Sequence, residues 1–227
     1  MKSSIVILII VFLVGIIVTL IMFFIQPGTS GTAARGGVPK QGIMVSYDDG
    51  LNWEVLNNFR GEGVQRFVLG KSEPGHLFVG TAKNGFWNGD EKGDVWSRSL
   101  ADVRVYDIVE DSLAGTSGLY LAIYQKNRGK LLYYDVKNVS FNELYFTPLN
   151  KYAVFGVRIN PSNPNVIWLA VSDGGFYESQ DRGRSWRVLK RFDHGLVKLV
   201  DDKRRAGHLW GLTSQGEIFE TFNSGRN

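Results

Sequence analysis

Ser179-Gln180-Asp181-Arg182-Gly183-Arg184-Ser185-Trp186 has the form S-x-D-x-G-x-S-W, and the apolar pair Val188-Leu189 follows it. A polar octet closed by a tryptophan reads as a tight turn between two strands. The Asp181 carboxylate can fold back onto nearby backbone N–H groups, and Gly183 can take the positive φ that such a turn needs. Trp186 then opens the next strand with a large ring to bury. The same octet stands at Ser46-Tyr47-Asp48-Asp49-Gly50-Leu51-Asn52-Trp53, ahead of Glu54-Val55-Leu56.

Three weaker copies extend the series. Gly89-Asp90-Glu91-Lys92-Gly93-Asp94-Val95-Trp96 keeps an acid, Glu91, with Gly93 and Trp96. Tyr134–Phe141 has Asn138 in the glycine place and Phe141 in the tryptophan place, and Thr221–Asn227 lacks the final aromatic. The copies begin at 46, 89, 134, 179 and 221, so they recur every 42 to 45 residues. A period of about 40–45 residues is that of the four-stranded blade of a β-propeller.

These octets resemble Asp-boxes, also called BNR repeats, of the kind seen in sialidases, sortilin-type receptors, xyloglucanases and the photosystem II stability/assembly factor family. The resemblance covers residues 43–227 and implies an all-β propeller. In that family the box is a fold-stabilising turn on the outer rim. The resemblance therefore makes Ser46, Asp48, Gly50, Trp53, Glu91, Gly93, Trp96, Ser179, Asp181, Gly183 and Trp186 structural residues, with no catalytic role.

Composition agrees with many turns and strands: 27 glycines and 13% aromatic residues. There is no cysteine, which removes disulfides, thiolate metal sites and a cysteine nucleophile. The net charge of +4 falls short of a nucleic-acid-binding signature.

Residues 1–25 hold an apolar run from Ile5 to Ile25, which at about 1.5 Å per residue matches the ~30 Å hydrocarbon core of a bilayer. It reads as an uncleaved transmembrane signal anchor, the alternative being a cleaved signal peptide. Lys2 before the run places the following domain on the extracytoplasmic side. Residues 26–42, rich in Gly, Pro, Ser, Thr and Ala, form a flexible linker. From residue 43 the pattern yields seventeen short strands: two, then three sets of four, then three. Seventeen strands do not close a ring of four-stranded blades, so the expectation is a propeller of four to five blades, incomplete at its C-terminus. Asn160–Asn165, with its two prolines, is expected to be a turn.

Few residues offer chemistry. Asp107, Glu110 and Asp111 are the acids that a pair of facing glycosidase carboxylates would draw on. Arg158-Ile159-Asn160-Pro161 superficially resembles the arginine motif of sialidases. His76, His194 and His208 lack metal-ligand spacing. No catalytic set, metal site or cofactor is expected. Two basic clusters, Arg182, Arg184 and Arg187, then Lys203, Arg204 and Arg205, read either as solvated edges or as a docking patch for an acidic partner or anionic lipid. The expected function is a membrane-anchored, non-catalytic scaffold or assembly factor with a protein partner and no nucleic acid. The alternatives are a carbohydrate-active hydrolase of sialidase or xyloglucanase type, and a sortilin-like peptide receptor.

Overall fold

The computed structural model describes residues 43–56, 58–90 and 92–226. The expected membrane anchor at Ile5–Ile25 and the linker at 26–42 lie outside the described residues. Among those that are described, no helix is long and apolar enough to cross a membrane.

The described chain is all-β, with seventeen strands in five antiparallel sheets. β1 (Met44–Val45) pairs with β2 (Glu54–Val55). Three four-stranded sheets follow in sequence order. The first contains β3 (Val64–Leu69), β4 (His76–Thr81), β5 (Phe86–Asp90) and β6 (Trp96–Leu100). The second contains β7 (Arg104–Glu110), β8 (Gly118–Gln125), β9 (Arg128–Asp135) and β10 (Ser140–Phe146). The third contains β11 (Val154–Asn160), β12 (Asn163–Val171), β13 (Gly175–Ser179) and β14 (Arg187–Arg191). A last sheet holds β15 (Leu196–Asp201), β16 (Leu209–Thr213) and β17 (Ile218–Thr221).

Each sheet is a meander, so every strand pairs with its sequence neighbours. The leading strands then pack in series: β3 beside β7, β7 beside β11, and β11 beside β15. Sheets that meet through their leading strands and diverge from there are propeller blades fanning from an axis. Each leading strand also carries a bulge one residue into its pairing, at Gln65, Tyr106, Phe155 and Val197. In the two middle blades the bulged rings meet edge to face, Tyr106 on Phe155 at 4.6 Å.

The core lies between blades. Phe78 and Phe86 of the first blade pack with Val105, Ile108, Leu119 and Leu121 of the second. Tyr120, Ala122 and Leu131 of the second pack with Val157, Ile159 and Leu169 of the third, and Trp168 and Phe176 of the third with Leu199 and Leu209 of the last. The second strands of the three four-stranded blades are covered on both faces, which explains near-continuous apolar runs such as Leu119-Tyr120-Leu121-Ala122-Ile123, whereas β16 of the last sheet is fully buried on one face only. One expectation fails. Pro164 is not in a turn, because β12 already begins at Asn163. Asn160 pairs with Asn163 and the register then jumps to Ile159–Ile167, so Pro164 sits in an irregular step where no ladder partner waits for an N–H.

The octets share internal bonding. In the unit formed by Ser46–Trp53, the Ser46 hydroxyl accepts from the Gly50 N–H (2.7 Å), Asp48 accepts from the Asn52 N–H (2.8 Å), and the Trp53 indole N–H donates to the Gly50 carbonyl (3.0 Å). At the fourth copy, Ser179 accepts from Gly183 (2.7 Å), Asp181 from Ser185 (2.8 Å), and Trp186 donates to Gly183 (3.1 Å). The fifth copy repeats the first bond, Thr221 accepting from Gly225 at 2.8 Å, while Asn223 accepts from the Arg226 N–H at 3.1 Å, one place earlier than in the full copies. In all three, two successive residues have positive φ: Asp49-Gly50, Arg182-Gly183 and Ser224-Gly225. The two degenerate copies differ. Around Gly93 the carboxylate that accepts the Asp94 N–H is Asp90 (2.7 Å), one place before the expected acid, Glu91, which lies outside the described residues. In the third copy the positive φ falls on Val139 (49°) instead of Asn138.

Candidate binding cleft at the blade axis

The leading strands are apolar apart from a few charges, and those charges find each other. Arg66 on β3 and Asp107 on β7 occupy the same place, immediately after the bulge and opposite a small residue, Gly80 or Ala122. Arg66 Nε lies 3.2 Å from Asp107 Oδ1. The other Asp107 oxygen receives Arg158 of β11, whose Nε reaches Asp201 of β15 at 3.3 Å, and Lys203 Nζ closes on Asp201 at 2.7 Å. The result is an alternating ladder, Arg66–Asp107–Arg158–Asp201–Lys203, that crosses all four leading strands. Its middle is buried: the side chains of Asp107, Arg158 and Asp201 are 8%, 11% and 5% exposed. Asp107 also accepts from the backbone N–H groups of Ile108 (3.0 Å) and Val157 (3.3 Å).

Arg66, Arg158, Asp201 and Lys203 of the ladder line a cleft of about 870 Å³, together with residues of the turns that follow the leading strands. Glu110, at the end of β7, accepts the backbone N–H groups of Lys71 (2.8 Å) and Ser72 (2.6 Å) with one oxygen. Its other oxygen is buried and has no hydrogen-bond partner. Asp111 faces the same cleft but is held from behind. Arg182, in the left-handed turn of the third blade's octet, forms a two-nitrogen pair with it, and the Tyr133 hydroxyl donates to it at 3.1 Å. Burial, and then the Asp111 charge, push the Tyr133 hydroxyl up to about 12. Lys71 and Lys137 also line the cleft, and among the described residues neither ammonium group forms an ion pair, although the Asp135 carboxyl, lowered mainly by hydrogen bonds from Asn138, also feels the Lys137 charge.

The structure thus unites three residues considered separately in the sequence, Asp107, Glu110 and Arg158, and gives Asp111 a partner in Arg182. Aligned separately they carried no signal of pairing. The one clue available was the few charges inside largely apolar leading strands, Arg66, Asp107, Arg158 and Asp201 among them. The expected docking patch is not one surface group. Arg182 serves Asp111, Arg187 pairs with Glu178, Lys203 with Asp201 and Arg205 with Asp202, while Arg184 and Arg204 carry no ion pair among the described residues. Burial opposes the Glu178 charge, but hydrogen bonds from Arg187, Gln180 and Trp168 outweigh it and hold the carboxyl below its usual range. The histidines have structural partners where they are covered: His76 meets Asn88 at 3.0 Å, and His208 meets Glu220 at 2.8 Å between the Trp210 and Phe222 rings. No group of three potential metal ligands occurs among the described residues.

No protein-family model matches the sequence, and no curated protein matches it. Solved structures do. The GH74 xyloglucanase from Xanthomonas campestris superposes with a TM-score of 0.67 at 16% identity, over 82% of this chain and 34% of that one. YCF48 from Cyanidioschyzon merolae gives 0.59 at 18% identity, over 81% and 61%. A chain of the nidogen/laminin complex gives 0.62 at 11% identity, over 82% and 69%. The chain spans about a third of the length of the xyloglucanase it matches. At these identities the likeness is one of fold, and together with the fanned blades it shows a β-propeller fold.

Proposed function

We propose that this chain is a membrane-anchored, non-catalytic propeller of the Asp-box type that binds a partner protein through its axial cleft. Ile5–Ile25 serves as the anchor and puts the blades on the extracytoplasmic side. The observation that carries the reading is how the acids of the cleft are used. Hydrolysis of a glycoside needs two carboxyl groups facing one bond, one to donate a proton and one to attack or to activate water. Here Asp107 and Asp201 are locked between cations, Asp111 is held by Arg182 and Tyr133, and Glu110 caps a turn. Moving any of them toward a substrate would leave a buried arginine or two N–H groups without a partner. The octets support the same reading, since the Ser and Asp side chains of the two full copies are spent inside their own turns.

The likeness to GH74 enzymes keeps the hydrolase alternative in play, and one experiment separates the two. Purified full chain in detergent micelles is assayed against xyloglucan and sialosides. No turnover, together with stoichiometric recovery of one partner on cross-linking in native membranes, is the expected result. Turnover abolished by a single carboxylate substitution ends the scaffold reading.

A further inference from the structure

The cleft's charges do not balance. Arg66, Lys71, Lys137, Arg158 and Lys203 line it, against Glu110, Asp201 and the Asp107 that pairs with Arg66 and Arg158, so two positive charges are in excess once Asp111 is set against Arg182. Neither Lys71 nor Lys137 forms an ion pair among the described residues, with Asp135 acting on Lys137 only from farther away, and Arg66, half exposed, uses only Nε on Asp107. Two buried acceptors of the cleft lack a hydrogen-bond partner, one oxygen each of Glu110 and Asp201, but Asp201 has the Lys203 ammonium on that oxygen at 2.7 Å and, among the described residues, Glu110 has no cation on its own. A ligand that balances the cleft therefore brings negative charge and also an N–H donor. Its remaining surface meets apolar wall, from Val68, Val109 and Leu113 among others.

We propose that the cleft takes an acidic peptide segment of a partner protein, with side-chain carboxylates held by Lys71, Lys137 and Arg66 and a backbone N–H donated to Glu110. This deepens the scaffold reading and rests on it. A peptide supplies all three chemistries at once: anionic side chains, amide donors and apolar side chains. Inorganic phosphate supplies anionic acceptors and a P–OH donor but brings no apolar surface to Val68, Val109 and Leu113. Single-stranded nucleic acid needs aromatic faces on which bases stack, and no aromatic side chain lines the cleft. At about 870 Å³ the space lies within the ~300–1,000 Å³ range of ligand pockets, so it suits a short segment and excludes a folded domain.

The test uses full chain in detergent micelles and a fluorescein-labelled decapeptide of alternating Glu and Leu, followed by anisotropy. Saturable binding is expected, weakened about tenfold by Lys71→Ala/Lys137→Ala and several-fold by Glu110→Gln, and reduced by salt. Lys92→Ala/Lys190→Ala, which removes the same charge elsewhere, should leave it unchanged. Far-UV circular dichroism and thermal melting confirm that each variant is folded. The proposal is overturned if the Gln/Leu peptide binds equally well, if the double lysine variant keeps full affinity, or if the peptide fails to bind while vesicles containing phosphatidylserine do. Displacement by equimolar inorganic phosphate, insensitive to Glu110→Gln, would mark a bare anion site and also overturn it. Absence of peptide binding without turnover of xyloglucan removes this inference alone. Turnover removes the scaffold reading beneath it.

Discussion

Replacing Asp107 with Asn tests whether the ladder holds the blades together. The substitution keeps the shape of the side chain and removes its charge. It leaves Arg158, 11% exposed, with Asp201 alone, and turns an –NH₂ group toward guanidinium and backbone donors that previously met a carboxylate. Removing one member of a buried ion pair costs about 3–5 kcal/mol, much of it the desolvation of the charge left behind. Asp201 still compensates Arg158, and Arg66 is 47% exposed and can turn to water, so the lower end applies, about 3 kcal/mol. With a urea m-value of about 2 kcal/mol/M, the midpoint should fall by about 1.5 M. The assay is equilibrium urea unfolding followed by tryptophan fluorescence, with a double-mutant cycle through Arg158→Met. Because the two residues are in contact, the double variant should lose less than the sum of the singles, by about 1.5 kcal/mol or more. A single-mutant loss below about 0.5 kcal/mol, or strict additivity, refutes the claim that this pair ties the second blade to the third.

Three other perturbations address the turns. Gly93 has φ +71°, and a Cβ there would stand 2.7 Å from the Leu56 Cβ. Gly115 has φ +80° with open space around it. Gly93→Ala should therefore cost about 2 kcal/mol in urea unfolding and Gly115→Ala about 1 kcal/mol, and equal losses would show that the Leu56 contact does not matter. Trp186→Phe keeps a ring beside Tyr145 but loses the N–H shared between the carbonyls of Leu144 (2.9 Å) and Gly183, so stability should fall by about 1–2 kcal/mol, read as a lower urea midpoint. Hydrogen bonds from Ser185 and then Ser179 lower the Asp181 carboxyl from 3.8 to about 2. A carboxyl lowered by folding contributes stability that is complete above its unfolded value and is lost as pH falls through its folded one. Urea midpoints should thus decline between about pH 4 and pH 2, and Asp181→Asn should flatten that decline. An unchanged slope in the variant would place the acid sensitivity elsewhere, with Asp48 and Asp202, also lowered, the next to vary.

The blades were legible because their signals are local. In Ser179–Trp186 the bonds that close the turn run from Ser179 to Gly183, Asp181 to Ser185 and Trp186 to Gly183, so the residues that make the turn stand together in the sequence. The strands between turns follow from apolar runs that only a doubly covered strand requires. Legibility fails where local chemistry is degenerate. Asp90, Glu91 and Asp94 crowd one turn, and sequence alone does not say which carboxylate closes it. Pro164 reads as a breaker until the irregular pairing around it is known. The cleft was illegible for another reason. Arg66 and Asp107 stand forty-one residues apart, Asp107 and Arg158 fifty-one, and Arg158 and Asp201 forty-three, and only the fan of leading strands brings them into reach.

This difference in range also constrains which parts of the molecule can change. An octet can lose its glycine, as at Asn138, or substitute Thr and Asn for Ser and Asp, as at Thr221 and Asn223, because the compensation is made within the same turn. The ladder has no such freedom, since each charge on one blade answers a charge on the next and a single replacement strands a buried ion. Lys71 and Lys137 lie outside both sets. They sit on turns at the cleft mouth, and the interactions described above do not enlist their ammonium groups in holding the blades together. Substituting them costs the fold little and changes the charge that a ligand meets. Recognition can therefore be altered at the mouth while the ladder stays fixed, which is why the binding test removes those two lysines and spares Arg66 and Arg158.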